Sequence, residues 1–105
     1  MAIASTDLKF YYSGGAANSD PAASLGGAIS SAQVGSGLFD DVSVSEAGAG
    51  DTEYRAYFVK NTSATDTAYS VVVWIAVDTL ATSTSLEIAL ADEGVANTIE
   101  TVGNE

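Results

Sequence analysis

The sequence predicts an all-β domain, a single β-sandwich of about five to six antiparallel strands with a long Gly/Ala/Ser-rich arm near its N-terminus. Three observations predict it. Two runs rich in Tyr, Phe, Val and Ile flank a polar turn between Glu53 and Val77, and such residues fit a pleated, half-buried surface. Ser85 to Ala91 alternates strictly between apolar and other residues. Elsewhere the chain offers short strand-like runs separated by Gly, Asp, Asn and Ser, and no long helical periodicity.

Taken in order, Asp7 to Tyr12 is the first strand. Leu8 and Phe10 alternate with Lys9, and Ser13-Gly14-Gly15 ends it. Residues 16–37 are small and polar. Within them Asp20-Pro21-Ala22-Ala23-Ser24-Leu25-Gly26 carries an N-cap residue, a first-turn proline and a glycine stop, which predicts one helical turn. Ala28-Ile29-Ser30 pairs briefly with another segment. Ordering so long an arm costs roughly 1–2 kcal/mol per residue in backbone entropy. Its few large side chains, Leu25, Ile29 and Val34, offer little to offset that cost. The arm is therefore expected to be mobile in the free protein and anchored on a partner through those three residues.

Leu38 to Val42 reads as a short strand or strand entry. Ser43-Val44-Ser45-Glu46 has the form of a capping box, but Gly48 and Gly50 follow at once, so a loop is expected. In the central pair, Tyr54, Ala56 and Phe58 share one face and Arg55, Tyr57 and Val59 the other. Along the next run Tyr69, Val71, Val73, Ile75 and Val77 lie on one face, and Ser70, Val72, Trp74 and Ala76 on the other. Both faces are largely apolar, which predicts a central strand with Val73 and Ile75 buried. Asp78 to Ser83 turns the chain. Leu86, Ile88 and Leu90 then point inward, with Glu87 and Ala89 outward. Asp92-Glu93-Gly94 makes the next turn, and Thr98 to Val102 is a weak last strand beside an open sheet edge. The sandwich these elements build is Ig-like or jelly-roll-like, and residues 1–105 form one domain.

The composition limits what the domain does. Lys plus Arg is 3 against 14 Asp plus Glu, a formal net charge of -11. Phosphate binding needs clustered Lys and Arg, so neither nucleic acid nor an anionic membrane is an expected partner. The start has no basic region followed by an apolar core, and no apolar run approaches a membrane span, so synthesis in the cytoplasm of whatever cell makes it is expected.

With 0 His and 0 Cys, a Ser-His-Asp triad, a cysteine nucleophile and a typical zinc site are excluded. The acid pairs Asp40/Asp41 and Asp92/Glu93 are sequence neighbours, which point to opposite faces of a strand and do not converge on a substrate. No enzyme activity, cofactor or metal is expected. A calcium site is the sharper alternative, since Asp40, Asp41, Asp51 and Glu53 bracket one Gly-rich loop, though in no known ligand spacing. Arg55, inside an apolar strand, is expected to form a structural or interface salt bridge. Asn61-Thr62-Ser63 fits the glycosylation pattern and is read as a turn. Trp74 is a candidate sugar platform, but on so apolar a strand it reads as core.

Several stretches in order resemble a family of small bacteriophage virion proteins. They are Ala4-Ser5-Thr6-Asp7-Leu8-Lys9-Phe10-Tyr11, Ser13-Gly14-Gly15-Ala16-Ala17-Asn18 and Leu25-Gly26-Gly27-Ala28-Ile29. The strongest are Leu38-Phe39-Asp40-Asp41-Val42-Ser43, Gly50-Asp51-Thr52-Glu53-Tyr54-Arg55 and Phe58-Val59-Lys60-Asn61-Thr62. The resemblance implies a decoration (cement) protein on the exterior of the capsid. Its partners would be the major capsid protein and copies of itself, a trimer being one such state, with Leu25, Ile29, Val34 and Arg55 as interface candidates. The alternatives are a tail or connector component, and a stand-alone sugar- or calcium-binding β-sandwich.

Overall fold

The computed structural model describes residues 4–35, 37–39, 44–50, 52–76, 85–93 and 97–102. Its organising element is a two-stranded antiparallel sheet. Strand β1, Leu8–Tyr12, pairs with β2, Tyr57–Asn61, from Leu8 opposite Asn61 to Tyr12 opposite Tyr57. Beyond the ladder's end Thr62 donates its N–H to the Asp7 carbonyl at 2.7 Å. That bond sets the phase. Phe58 and Lys60 turn their main-chain groups toward β1, and Tyr57, Val59 and Asn61 turn theirs away.

The small-residue segment lies against the other side of β1. Tyr12 donates its N–H to Ala32 O (3.1 Å), Ser30 to Tyr12 O (2.8 Å) and Val34 to Phe10 O (2.9 Å), and Tyr11 bridges Gln33. Further back, Ala56 N–H donates to Ser24 O, Val102 N–H to Leu25 O, and Gly27 and Ile99 exchange both their bonds. Residues 16–35 are thus tied to β1, to the entry of β2 and to residues 99–102. The segment expected as an extended arm is laid along the sheet by backbone hydrogen bonds. The residues are too small to bury apolar area, but they let backbones approach closely, and hydrogen bonds hold the segment.

Two glycines make that approach possible. Gly14 (φ 93°) and Gly26 (φ 123°) both lie in the left-handed region, where an L side chain is strained. A Cβ on Gly14 would collide with the Ala23 carbonyl oxygen, and one on Gly26 with that of Glu100. Between them sits the expected single turn, Pro21–Ala23, capped by the Asp20 carboxylate, which accepts the Ala22 N–H at 3.0 Å.

Helix α1, Val44–Ala49, corrects the loop expected there. Gly48 is tolerated inside its six residues, and termination comes at Gly50, whose φ of 73° is the usual left-handed helix stop.

The molecule is β-rich and mostly non-helical, with an open sheet. The second predicted run does not form a central strand among the described residues. Ser70 takes φ 52°, left-handed for a residue with a Cβ, and breaks the extended path between Tyr69 and Val71. Residues 71–76 and 85–91 carry no ladder. Val73 is half-buried and Ile75 is 37% exposed, so the burial expected for this pair is not reached. Ile99 makes a bridge rather than a strand. Of the other predicted elements, Asp40–Ser43, Val77, Asp78–Ser83 and Gly94 lie outside the described residues.

Candidate interaction surface

The interior of the described chain is polar. Its buried residues are Tyr11, Tyr12, Ser13, Ser24, Gly26 and Ser30. The Ser13 and Ser24 hydroxyls both donate to the Ala56 carbonyl, at 2.8 and 2.7 Å. Ser24 Oγ accepts the Ser13 N–H (3.0 Å), and Ser13 Oγ accepts the Gly26 N–H (2.9 Å). Each hydroxyl of this buried pair thus has its partners, which a low-dielectric interior requires. The cluster joins the end of β1, the 24–26 segment and the entry of β2. It holds no strong base and no open cleft, so it is a structural knot. Sequence reasoning missed it, because isolated serines in a Gly/Ala/Ser stretch carry no signal of which hydroxyls will be buried.

Arg55 sits at the entry of β2 with a side chain only 1% exposed. Its Nε donates to Leu38 O (3.1 Å), its Nη1 donates to Tyr54 O (2.8 Å), and the guanidinium lies 5.3 Å from the Phe39 ring centroid. Glu53 is 4.0 Å away, the structural salt bridge expected of this residue. Arg55 therefore fastens the 38–39 segment to the sheet. Leu25 and Val34 are half-buried, each engaged through its backbone, whereas Ile29 is exposed. Asp40, Asp41 and Asp51 lie outside the described residues, so the calcium alternative has only Glu53 within them. Among the described residues there is no group of three or more potential metal ligands, and no helix is long and apolar enough to cross a membrane.

The apolar surface lies on the open sheet. Leu8, Phe10 and Val59 share one face, with Tyr57 edge-on to Phe10 at 5.5 Å between ring centroids. Residues 71–76 cross loosely over that face and enclose an apolar groove of about 240 Å³. Trp74 remains 70% exposed, against the expectation of a core tryptophan. On the opposite face Lys60 Nζ lies 5.4 Å from the Tyr11 ring centroid. A second groove, of about 370 Å³, runs along β2 at Phe58, Val59 and Asn61, with Ile29, Asn97 and Thr98 on its other wall.

The first groove is apolar, the second adds Lys60, Thr98 and the amides of Asn61 and Asn97 to apolar walls, and neither is lined by an acid–base pair. No protein-family model, curated protein or solved structure matches the chain.

Proposed function

We propose that this is a bacteriophage virion structural protein. It binds the assembled capsid shell as a decoration (cement) protein and stabilises it. Its partners are the major capsid protein and further copies of itself, and its place is the capsid exterior. The resemblance of residues 4–62 to small virion proteins supplies the family. The observation that carries the reading is the exposure of large apolar side chains outside the two-stranded sheet, Trp74, Val72, Tyr69 and Leu90 among them. Exposed apolar area of this extent marks an interaction surface. Assembly would complete the open sheet toward the sandwich of about five to six strands. The net charge of -11 suits an outer surface that has no business with the packaged genome. No catalytic role, cofactor or metal is proposed.

The test is the stoichiometry of the protein in purified particles, together with rebinding to shells from which it has been removed. A decoration protein occurs in many copies, in fixed ratio to the shell protein, and restores the depleted shell's resistance to heat. A few copies confined to one vertex or to the tail would make it a connector or tail component instead.

A further inference from the structure

We propose that a second copy of this chain pairs with the free edge of β2, so that two β2 strands run antiparallel about a two-fold axis centred on Val59. The inference rests on the self-association in the reading above and names its surface; it does not depend on the capsid.

The ladder phase turns the N–H and C=O groups of Tyr57, Val59 and Asn61 away from β1. Among the described residues no backbone hydrogen bond reaches them. Such a row is a template for another strand, and natural edges are usually blunted by proline, a bulge or outward charge. This one has no proline, and the Nζ of its one charged residue, Lys60, is drawn back over the Tyr11 ring of its own chain.

The edge is self-complementary, as a two-fold contact must be. Centred on Val59, the register sets Tyr57 against Asn61 of the partner subunit, Val59 against Val59 of the partner subunit, and Lys60 against Phe58 of the partner subunit. No two like charges meet. For a chain of net charge -11 this matters, because the pairing strand itself carries no carboxylate. A basic partner would instead seek the acids, which this strand lacks.

The same register joins the apolar faces, carrying Leu8, Phe10 and Val59 of one copy into those of the other.

The chain has 0 Cys, so an introduced thiol reports cleanly. Cα atoms of a directly hydrogen-bonded antiparallel pair lie about 5.5 Å apart, inside the roughly 4.4–6.8 Å span of a disulfide. Mild oxidation of full-length Val59→Cys is expected to give a covalent dimer. Lys60→Cys, two residues out of register with its own counterpart, should stay uncross-linked. Light scattering of the unmodified chain should give twice the mass of one copy. Val59→Pro removes an outward N–H without touching the ladder to β1. It should weaken the dimer at least about tenfold, the loss of two edge hydrogen bonds, while leaving the strand circular dichroism unchanged. A chain that stays monomeric at every concentration, a trimer, or equal cross-linking at both positions would overturn the pairing. A monomer still found at high copy number on particles would sink this inference alone. A two-fold dimer absent from particles would sink the capsid reading alone.

Discussion

Residues 8–35 and residues 69–76 invert the usual relation between hydrophobicity and burial. The first region is rich in Gly, Ala and Ser, yet it contains the buried residues Ser13, Ser24, Gly26 and Ser30. The second is Tyr-Ser-Val-Val-Val-Trp-Ile-Ala, yet Trp74 is 70% exposed. The first is closed by hydrogen bonds between backbones that small residues allow to approach. The second needs a neighbour for its apolar side chains, and within the described chain it has only a loose seat over Leu8, Phe10 and Val59. Order and hydrophobicity are therefore separable here: one region is finished within the chain, and the other leaves its apolar side chains exposed.

The comparison can be broken most severely at Gly26. A side chain there meets the Glu100 carbonyl at a φ of 123°. Backbone strain of roughly 1–2 kcal/mol adds to overpacking of roughly 1–3 kcal/mol. Gly26→Ala should thus lower stability by about 2–5 kcal/mol, read from urea midpoints, whereas Gly27→Ala, with open space around it, should cost only the backbone strain. Equal losses at both positions would show that Gly26 is not a point of close approach.

Next in size is the serine knot. Ser24→Ala leaves the buried Ser13 N–H without its acceptor and Ala56 O with one donor fewer. The expected cost is about 1–3 kcal/mol. Because Ser13 and Ser24 share Ala56 O, a double-mutant cycle with Ser13→Ala should show coupling of about 0.5–3 kcal/mol. Strict additivity would mean that the two hydroxyls do not act as one cluster.

Arg55→Lys should cost about 1–2 kcal/mol, since an ammonium cannot hold Leu38 O and lie flat against the Phe39 ring as the guanidinium does. An unchanged melting curve would release the 38–39 segment from this role. The smallest effect is expected from Ile75→Ala. On a dilute, dissociated chain it should change stability by less than about 1 kcal/mol, against the roughly 2–5 kcal/mol of a buried isoleucine. A full core penalty under those conditions would restore the central strand and end the contrast between the two regions.

How much of this was legible in the sequence varies with the physical cause. β1 and the capped turn at Asp20 were readable because alternation and N-cap chemistry act locally. β2 was readable as a strand, though its register with β1 was not, since pairing is a long-range choice. The second run misled because its apolar alternation describes the state in which it would be covered, and a pattern of side chains does not say whether the cover belongs to the same chain. Ser70 shows the limit, for nothing in Tyr-Ser-Val announces a left-handed serine. The Gly/Ala/Ser segment misled in the opposite direction. A paucity of large side chains reads as mobility, while the bonds that hold it come from backbone groups every sequence has. The free edge of β2 was invisible for the same reason, because it is a property of ladder phase.

Amide hydrogen exchange on the dilute, full-length chain measures the contrast most directly. The N–H groups of Tyr12, Gly26, Ser30 and Val34, each donated to a partner in the fold, should exchange slowly. Those of residues 71–76, with no backbone partner among the described residues, should exchange nearly as fast as in an unstructured peptide and gain protection on association. Equal protection in the two regions of the dissociated chain would contradict the account.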